Sequence, residues 1–140
     1  MGIQFGEVNR LADDAIKAGK IPPMIIVTPD GFTSFYINTA DGKLNYEDFF
    51  IKELIPHIEK TYKVKAERRF RGIAGLSMGG YGSLLYALKY PNLFVASAPL
   101  SAAVWTDNDI INLDEGMFNG LFGNSMGKNL KGKDRLTPAW

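Results

Sequence analysis

The sequence has no cysteine and only one histidine, His57. The first absence excludes disulfides, thiolate chemistry and cysteine-ligated metals, and it removes the usual clue to redox compartment. The second excludes a multi-histidine metal site within the chain. No stretch of about 18 uninterrupted apolar residues occurs, so no transmembrane helix is expected. The opening "MGIQFGEVNR" has no apolar core of the kind a signal peptide carries. Charge of one sign is scarce as well: 16 basic against 15 acidic residues leave a net +1. That balance offers little to nucleic acid or an anionic membrane surface. The short run Arg68-Arg69-Phe70-Arg71 reads as a solvated strand entry. Lys128, Lys131, Lys133 and Arg135 are interleaved with glycine and have no aromatic partners nearby, unlike a nucleic-acid groove.

What remains is an ordinary globular composition, 46% hydrophobic and 22% charged over 140 residues, enough for a single domain spanning 1–140 with one core. The elements alternate. Val8, Leu11, Ala12, Ala15 and Ile16 recur at helical spacing, and Gly19 supplies a stop. After Pro22-Pro23, the run Met24-Ile25-Ile26-Val27 closed by Pro29-Asp30-Gly31 predicts a buried parallel strand. Residues 31–44 read as loop with a turn at Asp41-Gly42. Asn45 is the expected cap of a helix whose buried stripe is Tyr46, Phe49, Phe50, Leu54, Ile58 and Tyr62, kinked or divided at Pro56. A strand at Phe70 to Ala74, a helix at Gly80 to Tyr90 ended by Pro91, and a strand at Phe94 to Leu100 follow. Residues 101–140 are weakly patterned, and 119–134, rich in Gly, Asn and Lys, read as loop. The alternation predicts an α/β fold, a parallel sheet flanked by helices.

Between the second strand and the third helix stands Gly75-Leu76-Ser77-Met78-Gly79. A G-x-S-x-G at a strand-to-helix junction is the arrangement that projects a serine hydroxyl from a sharp, strained bend. Gly75 and Gly79 fit where side chains would collide with neighbouring backbone, and Gly80 and Gly82 let the helix approach the sheet. Ser77 is the candidate nucleophile. The backbone N–H of Met78, at the positive end of the helix, is the candidate oxyanion donor.

The stretch "RGIAGLSMGGYGSLLYALKYPNLF" resembles the nucleophile region of the "putative esterase" family of α/β hydrolases. That family includes feruloyl and acetyl-xylan esterases, tributyrin esterases, S-formylglutathione hydrolase and the mycolyltransferases. "IPPMIIVTPDG" is similar to the family's fourth strand and the loop after it, "YEDFFIKELIPHIEKTYKV" to its next helix, and "APLSAAVW" to the end of its sixth strand. The resemblance covers about residues 5 to 106. It implies ester hydrolysis through an acyl-serine, with a histidine as base and an acid to orient it. It implies no cofactor and no metal. The substrate would be a small-molecule or polysaccharide-linked ester, with neither nucleic acid nor membrane as a partner.

The same resemblance raises a difficulty. The family's triad runs serine, acid, histidine along the chain, and no histidine follows Ser77. His57 precedes it, beside Ile58 and a turn from Glu53 and Lys60, and reads as a helix-surface residue. Asp107, Asp109, Asp114 and Glu115 read as helix caps or solvated loop rather than as the acid. The family's first three strands, and with them its second oxyanion donor, have no counterpart here, nor do its C-terminal strands. The expectation is therefore a partial α/β-hydrolase fold from the middle of a longer hydrolase, inactive by itself. The family's third strand would lie between those matched by 24–28 and 70–74, so a vacant slot, strand exchange or a homo-oligomer filling it is expected. Asp30 and Trp105 follow strands at the edge where ligands bind in such sheets. Each is a candidate substrate contact, with turn chemistry the competing reading for Asp30 and core packing for Trp105. Two other readings stay open: a non-catalytic binding or oligomerisation module of the same fold, and an acyltransferase.

Overall fold

The computed structural model describes residues 6–137, divided after Asp30 into two compact units. The described part of the first unit holds the helix α1 (Val8–Lys17), whose exposed face is laced by Arg10 with Glu7 and Asp14 and by Lys17 with Asp13. Gly19 follows it at φ 68, the left-handed backbone that glycine adopts at low cost. The predicted strand at Met24–Val27 does not form: no ladder among the described residues includes it, and its four apolar side chains are between 42% and 49% exposed. A strand exists only through a partner that takes its N–H and C=O groups. An apolar, β-branched run supplies half of that requirement.

The second unit is built on two parallel strands and the helix that connects them. Strand β1 (Gly72–Leu76) pairs in parallel with β2 (Ala96–Leu100), in the register Gly72 with Ala96 through Leu76 with Leu100. Before β1 come α2 (Tyr46–Asp48), a π-helical segment Phe49–Leu54 and α3 (Ile55–Thr61). The expected division near Pro56 thus takes the form of a widened turn, with Pro56 directly after the π-helical segment and unable to donate to a carbonyl of it. Of the predicted stripe, Tyr46 is buried and Phe50, Leu54 and Ile58 are half-buried, while Phe49 and Tyr62 are exposed. The widened turn shifts the phase of the helix, so an ideal-period reading misplaces its ends. Asn45 makes no capping hydrogen bond; Asn38 Oδ1 instead accepts from the Asp48 N–H at 3.1 Å.

Helix α4 (Met78–Lys89) packs across both strands. Its Ser83 carbonyl accepts from Ser97 Oγ at 3.1 Å. It covers one face of the sheet: Ile73, Gly75 and Ser97 are half-buried, while Ala74, Leu76, Ala98 and Leu100 on the other face are exposed. Arg71 fastens the entry to β1, bonded to Glu59 of α3 and donating to the Leu93 carbonyl at 2.6 Å. Arg68 donates to the Pro91 carbonyl. Arg68 and Arg69 are exposed, as expected of the basic run, whereas Arg71 is half-buried.

After β2 the chain forms a small helical cap of α5 (Asp107–Asn112), α6 (Glu115–Leu121) and α7 (Gly123–Met126), then a 3-10 turn Gly132–Arg135. Residues 119–134 are therefore largely structured, against the loop expectation. Phe118, Phe122 and Met126, each four residues apart, form one buried stripe that the Gly and Asn content hides. With Phe35, Ile37 and Ile110 they make the main core, against which Met78, Tyr81, Leu85 and Trp105 pack. Burial of each phenylalanine is worth about 2–3 kcal/mol. Arg135 is buried among them. Its guanidinium donates to the carbonyls of Ile110, Ile111, Leu113 and Leu130 and lies 4.4 Å from the Phe118 ring centroid.

Candidate active site

Strand β1 ends at Leu76 and α4 starts at Met78, leaving Ser77 to make the whole bend at φ 56, ψ −115. That backbone is sterically costly for any residue with a Cβ. It persists because the residue is held from both sides: the Ser77 N–H donates to the Leu100 carbonyl at 3.0 Å, and the Ser77 carbonyl accepts from the N–H groups of Tyr81 and Ala103, each at 3.0 Å. The turn that does the holding, Leu100 to Ala103, is itself strained, with Ser101 at φ 41.

Glycines make these approaches possible, though not all in the expected way. A Cβ at Gly75 would lie 2.1 Å from the Gly79 carbonyl oxygen, and one at Gly80 would lie 2.6 Å from the Leu100 carbonyl. Both sites forbid a side chain. At Gly79 the nearest atom would be the Tyr36 hydroxyl at 3.5 Å, an ordinary contact, so no collision requires glycine there. Gly82 faces the Tyr36 ring at 2.5 Å, so it admits Tyr36 and not, as expected, the sheet.

The Ser77 side chain is exposed and makes no capping bond to its own helix. The N–H of Met78, as first residue of α4, has no intrahelical acceptor by position, and the helix dipole adds partial positive charge there. Around this point strain accumulates: Phe32, Phe35, Tyr36, Ser77 and Ser101 all have φ between 41 and 60. Tyr36 reaches the bend through its hydroxyl, which lies within 2.6 Å of a Cβ built at Gly31 as well as near Gly79. Its carbonyl accepts from the Tyr86 hydroxyl at 2.5 Å. Burial pushes the Tyr81 and Tyr86 phenols upward, with the Glu47 charge adding to it. Tyr90, which donates to the buried Glu47, is pushed up to about 12, first by burial and then by that bond. The Tyr86 and Tyr90 phenols serve as neutral hydrogen-bond donors.

The other candidates are dispersed. His57 is exposed on α3. Among the described residues no imidazole or carboxylate hydrogen-bonds Ser77. Asp114 caps α6, accepting from the Met117 N–H at 2.9 Å. Asp109 closes a capping box with Thr106, which holds its carboxyl below the usual range. Trp105 packs edge-on against Phe122, centroids 5.9 Å apart, within the cap core, and its buried indole N–H has no acceptor. Asp30 is exposed at the end of the first unit. Among the described residues no cluster of three or more metal-ligating side chains exists, and no helix is long and apolar enough to cross a membrane. Sequence reasoning missed the Leu100–Ala103 turn and Tyr36. Gly80, read only as a packing residue, was the available signal for the turn.

Comparison with known proteins gives a family match, two curated relatives and a solved structure. Residues 3–130 match the family described as "Putative esterase". An endo-1,4-beta-xylanase/feruloyl esterase of Xylanibacter ruminicola is 36% identical over 108 residues, covering 75% of this chain and 15% of that protein. An esterase of Mycobacterium tuberculosis is 42% identical over 87 residues, 59% of this chain and 19% of that one. The solved structure of a ferulic acid esterase superposes with a TM-score of 0.70 at 31% identity, over 89% of this chain and 50% of the other. The chain thus spans half the length of that structure and less than a fifth of either curated relative.

Proposed function

The chain belongs to the "Putative esterase" family, and we propose from that premise that it acts on carboxylic esters through an acyl-enzyme formed on Ser77. The observation that carries the reading is the exposed Ser77 hydroxyl at a strained bend, beside the first N–H of α4. Ser77 Oγ adds to the ester carbonyl carbon while the Met78 N–H donates to the developing oxyanion. The carbon–alkoxy bond breaks, the serine proton ends on the leaving alcohol, and water releases the acid by the reverse route. The relatives named as feruloyl and ferulic acid esterases support an aromatic acyl group on a sugar alcohol as substrate, with a simpler short-chain ester as the other option.

The step that lacks a protein partner is proton transfer, because Ser77 has no imidazole beside it among the described residues. We infer that the 140-residue chain reacts only with water or hydroxide as base. A fluorophosphonate probe should therefore label Ser77 slowly, at a rate rising about tenfold per pH unit without a plateau. Ser77→Ala should abolish labelling and His57→Gln should leave it unchanged. Turnover of p-nitrophenyl acetate near 10 s⁻¹, typical of enzymes, or a plateau near pH 6–7 lost in His57→Gln, would contradict the assignment of roles. The same missing base favours a second reading, a non-catalytic module. Absence of any Ser77 labelling at high pH would select it.

A further inference from the structure

Phe32 is 64% exposed, the most exposed aromatic side chain among the described residues, and it is held at φ 49. The chain there is locked, not loose. The Ser34 N–H and hydroxyl both reach the Gly31 carbonyl, at 3.2 and 2.6 Å, and the Tyr36 N–H donates to Ser34 Oγ at 3.0 Å. A strained backbone thus presents a largely exposed apolar ring at the surface, a kind of feature that marks binding positions. The ring borders a cavity of about 220 Å³, whose other walls include Thr33, Thr39, Leu44 and Asn124. No charged side chain lines it, which disfavours a phosphate or carboxylate ligand. Asn124 Nδ2 donates to Thr33 Oγ1 at 2.8 Å. This leaves the Thr33 hydroxyl proton and the Asn124 carbonyl oxygen as an adjacent donor and acceptor.

We propose that Phe32, Thr33 and Asn124 form a subsite for a neutral pyranose ring, stacked by its C–H face on Phe32 and bonded through neighbouring hydroxyls to Thr33 and Asn124. An aromatic plane with a few convergent hydroxyl and amide groups suits a polyol that is apolar on one face and polar at its rim. The volume is below the roughly 300–1,000 Å³ of sites for larger ligands, so it takes one ring of a polymer. The placement gives the subsite its use. The Tyr36 hydroxyl would lie 2.6 Å from a Cβ at Gly31, next to Phe32, and 3.5 Å from one at Gly79, two residues from Ser77. The ring would be the alcohol side of the ester, so this assignment rests on the esterase reading and names where its sugar sits.

The test is a two-dimensional amide NMR titration of the 140-residue chain with methyl β-xylopyranoside and xylobiose, up to about 50 mM. Shifts at 32–34 and 124–125, with Kd in the millimolar range, are expected. Phe32→Ala and Thr33→Val should each raise Kd at least tenfold while the amide spectrum elsewhere keeps its dispersion. Ser77→Ala should bind the sugar as the parent does. No shifts at the highest concentration, or equal shifts in Phe32→Ala, would overturn the subsite. Sugar binding here without any Ser77 labelling would sink the ester reading and leave the sugar site standing. Labelling without sugar binding would do the reverse.

Discussion

Replacing Ser77 by glycine should stabilise the protein, whereas replacing it by alanine should not. At φ 56, ψ −115 a residue with a Cβ carries strain of about 1–3 kcal/mol. Glycine removes that strain but gains freedom in the unfolded chain, which costs roughly 0.5–1 kcal/mol. The net gain is about 0.5–2 kcal/mol. Alanine keeps the Cβ and loses only a hydroxyl that makes no capping bond, a change within about 0.5 kcal/mol. The two variants remove the same nucleophile, so the difference between them isolates backbone strain from chemistry. Urea unfolding followed by far-UV circular dichroism reads it directly. With a slope near 2 kcal/mol/M, the midpoint of Ser77→Gly should exceed that of Ser77→Ala by about 0.3–1 M. A glycine variant at or below the alanine variant would mean that the bend is not strained, and the physical case for a specialised serine would fail with it.

Other perturbations read different parts of the structure. Gly75→Ala and Gly80→Ala should each destabilise by about 2–4 kcal/mol in the same urea assay, because backbone blocks the new methyl. Gly79→Ala should cost under about 1 kcal/mol, since its methyl meets only the Tyr36 hydroxyl at ordinary distance. Arg135→Ala strips four carbonyls of their donor and the Phe118 ring of its cation. A loss of about 3 kcal/mol is expected, detectable as protease sensitivity across 106–136. The Tyr90 phenol is held neutral to about 12 against an ordinary 10. Folding therefore gains from the bound proton below pH 10 and loses that gain as pH rises to 12. Stability measured across that window should fall less in Tyr90→Phe than in the parent.

The local pattern made much of this fold legible, and where it failed the missing information was tertiary. The bend at Ser77 could be read because its glycines, its apolar strand and its helix are contiguous in sequence. The run Met24–Val27 has strand composition, but pairing belongs to two segments and composition to one. Phe118, Phe122 and Met126 were obscured by the glycines and asparagines between them, although their four-residue spacing was available. The Leu100–Ala103 turn that grips Ser77 has no motif of its own; its role arises from backbone hydrogen bonds that residue types do not encode. Asn45 had the right chemistry for a cap, but Asn38, seven residues earlier, supplies the bond. The left-handed backbone at Phe32, Phe35 and Tyr36 contradicts intrinsic preference at three aromatic positions, so no propensity argument could find it.

Parallel sheets are ordinarily covered on both faces, yet here Leu76 and Leu100 stand 59% exposed beside Ala74 and Ala98. The folded protein therefore presents a greasy, pleated surface to any environment-sensitive fluorophore. Dyes of that class should brighten before a single residue has unfolded, and phenyl resins should retain the native chain. Purification and melting experiments should be designed around that stickiness from the start.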